Sequence, residues 1–184
     1  MIITDMVKYE MSMCKLEIVE ENHLQKLKEW INNPLVHDYI QPRTPLTIEE
    51  IRKKYLFPPS DMKNIHYIIL SEESVPVGVV SLKNLHFVNR RAELSIFIGE
   101  DKYRGKGYGK CATIEILRFA FVKLNLNKVF LEVYEFNKNA VELYKKIGFK
   151  TEGNLKSHSY KNGKYRNLLI MGIFREEFLK NFTS

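Results

Sequence analysis

The stretch that decides the fold is Arg104-Gly105-Lys106-Gly107-Tyr108-Gly109-Lys110, which lies between a strand-like run and a long amphipathic helical run. Glycine lets the backbone approach a ligand closely and take dihedral angles that other residues avoid. The first amides of the following helix have no intrahelical partner and lie at the positive end of the helix dipole. A phosphate group fits such a turn. Three glycines that alternate with cations exceed what a tight turn needs, so the stretch predicts a phosphate-binding loop.

The common nucleotide-binding motifs do not match this loop. The dinucleotide fingerprint needs G-x-G-x-x-G, whereas this loop reads G-x-G-x-G, and the Walker sequence G-x-x-x-x-G-K-[ST] is absent. The runs before the loop also predict antiparallel strands rather than a βαβ unit. The phosphate therefore belongs to another class of ligand.

The segments before the loop predict a strand, two helices and three antiparallel strands. Residues 15–19 alternate like a strand, and Asn22 is expected to cap a helix whose apolar stripe includes Leu24, Leu27 and Trp30. Thr47 and Glu50 form a capping box before a second helix over 48–57. A period of two then predicts strands over residues 66–70, 77–85 and 92–98.

The segments after the loop predict a helix, a strand, a second helix and a hairpin. The helix over 111–124 has one apolar stripe, residues 129–134 form a strand, and the helix over 139–147 is stopped by Gly148. Asn162-Gly163 marks the turn of a hairpin over 149–174. The fold class is therefore α/β in one domain, of the α+β kind.

The composition describes one globular domain. The 184 residues are 45% hydrophobic and 28% charged, which suits a packed core. We expect a single domain over residues 1–184, in which the residues up to about position 13 form an extended arm or an extra strand. No apolar run approaches the roughly 20 residues of a membrane helix, and no secretory signal is expected, because the first 15 residues lack a long apolar stretch. No membrane partner is expected.

The charge distribution and the cysteines indicate a class of ligand and a cellular location. Residues 1–101 hold 12 Lys and Arg against 15 Asp and Glu, a balance of −3, and residues 102–184 hold 17 against 7, a balance of +10. The C-terminal half is therefore expected to meet an anion, unless it is a plain solvated basic face. Cys14 and Cys111 have no metal-ligand spacing and cannot form a disulfide framework. A reducing, cytoplasmic location is expected.

Two motifs resemble those of the GCN5-related N-acetyltransferases. Arg104, Gly107 and Gly109 match the pattern [Q/R]-x-x-G-x-[G/A], and residues 137–149 match N-x-x-A-x-x-L-Y-x-K-x-G-F. The predicted order of elements is also the order of that family. Residues 89–94 and 160–174 look most like the branch that holds ribosomal-protein N-terminal and spermidine N-acetyltransferases. The N-terminal helices match less well, which leaves the acceptor open among a polyamine, a protein N-terminus, an aminoglycoside and an amino sugar.

The resemblance implies a mixed, mostly antiparallel central sheet with splayed central strands and helices on both faces. It also implies acetyl-CoA as the acetyl donor, with its pantetheine arm between residues 94–98 and 129–134. A bulge in the first of these strands would aim free N–H groups at the thioester oxygen. The residues expected to bind the cofactor are Ile96, Phe97, Ile98, Arg104, Gly105, Lys106, Gly107, Tyr108, Gly109, Lys110, Asn137, Ala140 and Lys146. No metal is expected.

Two residues are candidates for acid–base catalysis. Glu93, in an otherwise apolar strand, is the candidate general base through a water, and its alternative is a surface or arginine-paired glutamate. Tyr144 is the candidate acid for the departing thiolate, because neutral tyrosine donates a proton, and its alternative is a core tyrosine. Asn137 is expected to bond the pantetheine amide or to cap the helix. Glu132 and Glu135 are weaker acid–base candidates.

Other interpretations of the function remain open. An RNA- or ribosome-binding module would use the basic half, but most aromatic residues fall on apolar stripes, so no direct nucleic-acid contact is expected. A CoA-binding sensor without activity is the other alternative. A homo-oligomer that pairs an exposed strand is compatible with the pattern. Five carboxylates are either attractors of a polycationic acceptor or solvated helix faces: Glu20, Glu21, Asp38, Glu49 and Glu50.

Overall fold

A seven-stranded sheet forms the centre of the molecule in the computed structural model, which describes residues 13–37, 44–56 and 64–182. The strand order is β1-β2-β3-β4-β5-β7-β6, and every pair is antiparallel except β4 with β5. The mixed, mostly antiparallel sheet is confirmed. The strands are β1 Lys15–Ile18, β2 Ile65–Leu70, β3 Pro76–His86, β4 Arg91–Ile98, β5 Lys128–Tyr134, β6 Lys150–Lys161 and β7 Lys164–Phe174.

The helices mostly follow the local sequence signals. They are α1 Leu24–Ile31, α2 Pro34–His37, α3 Ile48–Tyr55, α4 Tyr108–Arg118, α5 Lys138–Ile147 and α6 Arg175–Phe182. The capping box before α3 is confirmed, since Thr47 Oγ1 accepts from the Glu50 amide at 3.3 Å. Gly148 ends α5 with φ +114°, and Asn162-Gly163 turns the hairpin between β6 and β7. The predicted arm before residue 13, together with Asp38, lies outside the described residues.

Three helix boundaries differ from the prediction. Asn22 does not cap α1, because a 3-10 turn over Glu21–His23 precedes that helix and Glu20 caps the turn. α4 begins at Tyr108 rather than at residue 111 and continues as a π-helical turn over Phe119–Lys123. α6 follows β7 directly and was not predicted, because no turn or capping residue separates the two elements.

Helices cover both faces of the sheet. On one face α4, α5 and α6 pack against a large core that includes Leu94, Leu131 and Phe178. On the other face α1 and α3 pack against a smaller core around Ile68, Val79 and Trp30. We call the second face the helix α1 face. Side chains alternate along each strand, so Glu93 and Phe97 of β4 lie on the helix α1 face, opposite to Leu94.

A disulfide joins Cys14, just before β1, to Cys111 in the first turns of α4. The sequence prediction, which excluded a disulfide framework, does not include this single link. The two lie 97 residues apart in sequence, and only the packing of α4 beside β1 brings them together. The sequence spacing alone contains no sign of this pairing.

Candidate active site

A gap opens between β4 and β5 near the middle of the sheet. The two strands pair in parallel at only three positions, Arg91 with Lys128, Ala92 with Val129 and Glu93 with Phe130. β4 continues to Ile98 and β5 to Tyr134, so the strands diverge after the last pair. The predicted splay of the central strands is confirmed. A substrate arm can enter here and pair with backbone on both sides.

The backbone groups that border the gap follow from strand geometry. The amides of Asn127 and Lys128 both donate to the Arg90 carbonyl, so Arg90 faces β5. Backbone groups point to alternate sides along an extended strand, which turns the N–H and C=O of Leu94 and Ile96 toward the gap. By the same alternation, those of Glu132 face it from β5. These are the hydrogen-bonding groups that an amide-containing arm needs.

The expected bulge is not in β4. The β3–β4 register runs without a break from Lys83 with Glu93 to Gly78 with Ile98, and its irregularity lies between Lys83 and His86. Asn84 causes it, with φ +50° and with its amide donating to Asn64 Oδ1 at 3.1 Å. The bulge is therefore in β3, and β4 offers the gap its regular alternating backbone groups.

The glycine-rich loop ends at an uncapped helix N-terminus. Gly107 is the N-cap of α4, takes a left-handed conformation with φ +94° and has no side chain to bond the first helical amides. The amides of Tyr108, Gly109 and Lys110 are consequently left for a ligand. Met13 packs over the loop, since a Cβ on Gly107 would lie 2.9 Å from its Sδ.

The cations of the loop play two different parts. Arg104 is tied to the protein: its Nε donates to the Ile98 carbonyl at 3.1 Å and its Nη1 lies 2.6 Å from Asp101 Oδ1. This residue holds the loop to the end of β4. Lys106 and Lys110 are exposed and lie beside the helix N-terminus. Tyr108 buries its ring against Tyr103, at 5.2 Å between centroids, and offers the loop its backbone.

The start of α5 combines a cap with a polar group near the gap. Asn137 caps the helix, and its Oδ1 accepts from the Ala140 amide at 3.3 Å. Its amide nitrogen is the part of the side chain that can turn to a ligand. Lys146 is exposed in the last turn of the helix.

Tyr144 is a buried tyrosine in the large core beside α4. It is 8% exposed, and its ring meets Phe149 edge-on at 5.6 Å. Burial raises the pKa of Tyr144 to about 12, because desolvation disfavours the phenolate. The hydroxyl is therefore protonated throughout the physiological range. Among the described residues it has no hydrogen-bond partner, so it is free to donate to a ligand.

Glu93 stands at the point where the strands separate, on the helix α1 face. Asn84 Nδ2 donates to its Oε2 at 2.8 Å, and Lys83 Nζ lies 3.9 Å from its Oε1. Its side chain is 21% exposed. Among the described residues no arginine pairs with it, as the alternative interpretation required, and a bulge residue and a lysine hold the carboxylate.

A polar row beside Glu93 was not foreseen from the sequence. His66 is buried, and its Nδ1 lies 2.8 Å from Ser81 Oγ. Ser81 pairs across the sheet with Ser95 on β4. Burial, with Lys83 and Lys54 nearby, lowers the pKa of His66 to about 4, so this histidine is neutral at pH 7. The row leads from the interior to the gap.

A match to a family model shows the family to which this chain belongs. Residues 15–150 match the model described as "Acetyltransferase (GNAT) domain", which covers more than half of the chain. The chain belongs to the GNAT acetyltransferases. This GNAT protein is thus an acetyl-CoA-dependent N-acetyltransferase, and its fold is confirmed by solved structures.

The most informative relatives are spermidine acetyltransferases. The chain is 30% identical to the spermidine N(1)-acetyltransferase of Escherichia coli K12 over 168 residues, with 90% of this chain and 88% of that protein covered. A crystal structure of spermidine N-acetyltransferase from Vibrio cholerae, in complex with CoA and spermine, superimposes with a TM-score of 0.86 at 27% identity, covering 91% of this chain and 99% of that one. A putative ribosomal N-acetyltransferase of Bacillus subtilis is 28% identical over 88% of this chain and 85% of its own.

Three of the five carboxylates that could attract a polycation are engaged within the protein. Arg52 of α3 contacts both Glu21 and Glu49, and Glu50 accepts from the Thr47 amide at 2.7 Å.

Among the described residues, no three or more His, Cys, Asp or Glu side chains are grouped to hold a metal ion. In the same part of this GNAT chain, no helix is long and apolar enough to cross a bilayer.

Proposed function

We propose that this GNAT enzyme transfers the acetyl group of acetyl-CoA to a primary amine of a polyamine such as spermidine. The observation that carries the proposal is the likeness to spermidine acetyltransferases over nine tenths of the chain. The loop and the gap support the donor: the free amides of α4 suit the pyrophosphate, and the edges of β4 and β5 suit the pantetheine amides.

The reaction needs a neutral amine, a polarised thioester carbonyl and a proton for the departing sulfur. In the proposed mechanism the acceptor nitrogen attacks the thioester carbon directly, the new N–C bond forms and the C–S bond breaks. Backbone N–H groups of β4 beside the gap polarise the carbonyl oxygen. Glu93 takes the proton of the attacking amine through a water. No acetyl-enzyme intermediate is needed.

Tyr144 donates a hydrogen bond to the departing sulfur in this mechanism. Its phenol, with a pKa raised to about 12, is a weaker acid than an ordinary thiol at about 8.5. Complete proton transfer to a free thiolate would therefore be uphill. The phenol instead acts as a hydrogen-bond donor that stabilises negative charge on sulfur while the C–S bond breaks, and the thiolate then takes its proton from solvent.

A panel of acceptors tests the proposal. The enzyme is incubated with acetyl-CoA and, separately, with spermidine, an amino sugar, an aminoglycoside and a peptide with a free N-terminus, and the release of free thiol is followed. We expect the polyamine to give the highest kcat/KM. A strong preference for the peptide would move the acceptor toward that of the ribosomal relative, and a strong preference for either sugar would overturn the polyamine proposal.

A further inference from the structure

One residue of β5 is exposed, although the rest of the strand is buried or half-buried. β5 is an interior strand, between β4 and β7, and its other residues, from Lys128 to Tyr134, are buried or half-buried. Glu132 is exposed. An interior strand exposes a side chain only where no helix covers the sheet, so Glu132 marks an open part of the helix α1 face.

The register locates this opening at the mouth of the gap. Glu93 with Phe130 is the last β4–β5 pair, and Glu132 is two residues further along β5. It lies on the same face as Phe130 and Glu93, because side chains alternate. Ser95 is the corresponding residue on β4, across the point where the strands diverge. The opening thus leads from the helix α1 face to the reacting end of the gap.

The β4 carboxylate at the opening is already bound within the protein. Glu93 is held by Asn84 and Lys83. Glu132 has no ion-pair or hydrogen-bond partner in the described part of the chain. The nearest cation of β4, Arg91, packs over the Phe130 ring at 5.7 Å instead. A free carboxylate here favours a cationic ligand.

We infer that Glu132 binds an ammonium group of the acceptor next to the amine that reacts. The inference rests on the proposed function and makes Glu132 a specificity-determining residue for acceptors with two or more amines. The reacting nitrogen must lose its charge to attack, so a carboxylate cannot help by holding that nitrogen as a cation. A neighbouring ammonium keeps its charge throughout the reaction, and its attraction to Glu132 aligns the neutral nitrogen with the gap.

The test compares a diamine with the monoamine of the same carbon chain, in the wild type and in Glu132→Gln. The substitution keeps the shape of the side chain and removes its charge. We expect kcat/KM for the diamine to fall about tenfold, through KM, because one charge-assisted contact is lost. The value for the monoamine should hardly change, and an equal fall for both amines would make Glu132 an acid–base group and overturn the inference. The difference should shrink in high salt, which screens an exposed pair.

Glu176→Gln is the matched control. Glu176 is also exposed, in α6, and lies beyond the far end of β5, where Phe174 pairs with Lys128. Both variants should keep the acetyl-CoA affinity and the melting temperature of the wild type, and Glu176→Gln should keep its preference for the diamine.

Two results separate the inference from the proposed function. If the wild type prefers the diamine and Glu132→Gln retains the whole preference, the inference is wrong and the proposed function stands. If the wild type acetylates no amine, the proposed function is wrong. Calorimetry of spermidine binding to the wild type and to Glu132→Gln then decides the inference, with equal affinity overturning it.

Discussion

Replacing Tyr144 by Phe removes one hydroxyl and keeps the ring in its core. Tyr144 is 8% exposed, and its ring meets Phe149 edge-on. The burial and the ring contact both survive the change. The hydroxyl has no hydrogen-bond partner among the described residues, so its loss should cost less than about 1 kcal/mol of stability at pH 7. If Tyr144 assists the departing sulfur, kcat should fall by about 10²-fold, the scale of one positioned hydrogen-bond donor.

The raised pKa adds a second signature at alkaline pH. The folded pKa of Tyr144, about 12, exceeds its ordinary value of 10.0, so the unfolded chain loses this proton first as the pH rises. The stabilisation that the neutral phenol contributes is complete below pH 10 and is lost between about pH 10 and pH 12. A shift of about two units corresponds to roughly 2–3 kcal/mol. The free energy of unfolding should therefore fall less between pH 10 and pH 12 in Tyr144→Phe than in the wild type, by roughly 2–3 kcal/mol.

The assays are saturating turnover, acetyl-CoA affinity by calorimetry, and urea unfolding at pH 7 and above pH 10. Tyr67→Phe is the control, because Tyr67 is a half-buried tyrosine that packs on Phe119, and burial also raises its pKa. It should keep normal turnover. A Tyr144→Phe variant with normal saturating turnover would refute the hydrogen bond from Tyr144 to the departing sulfur. Normal turnover with a large loss of stability would show that Tyr144 is a packing residue.

Three further predictions concern the loop, the base and the disulfide. Gly105→Glu should weaken acetyl-CoA binding by more than tenfold, because it adds negative charge beside the phosphates. Gly163→Glu is the control, because Gly163 has a φ of +74°, close to the +72° of Gly105, and equally open space around it. This control should show the same strain with unchanged acetyl-CoA affinity. Equal affinity in both variants would remove the loop from the site. Glu93→Gln should lower kcat by about 10²-fold near neutral pH, with the loss shrinking at high pH as free amine accumulates; a constant ratio to wild type across pH would contradict the base. Cys111→Ser should lower the free energy of unfolding by about 2–4 kcal/mol in non-reducing buffer, and a reductant should abolish the difference; equal stability in both buffers would show that the link does not stabilise the fold.

Local signals account for the parts of the fold that the sequence predicted well. The capping box of Thr47 and Glu50 and the turn at Asn162-Gly163 depend on residues within a few positions of each other. Such signals survive because nothing distant competes with them. The sequence predicts the start of α4 three residues too late, because Gly109 resembles part of the loop. A glycine in a first helical turn carries no distinctive mark in sequence.

Contacts between distant segments explain what the sequence did not predict. The partners of Glu93 come from a bulge at Asn84, whose position depends on the side chain of Asn64. The disulfide depends on α4 packing beside β1. The splay of β4 and β5 was expected only from the family resemblance, because the alternation of each strand gives no information on where pairing stops. The exposure of Glu132 follows from which strands the helices leave uncovered.

The most direct test of the account is the mass of the products after one incubation with acetyl-CoA and spermidine. The account predicts spermidine that carries one acetyl group, one free CoA thiol for each acetyl group transferred, and a protein that never carries acetyl. It also predicts that both substrates must be present together for any CoA to be released beyond slow hydrolysis. An acetylated protein, or release of CoA without acetylated spermidine, would contradict direct transfer to a polyamine.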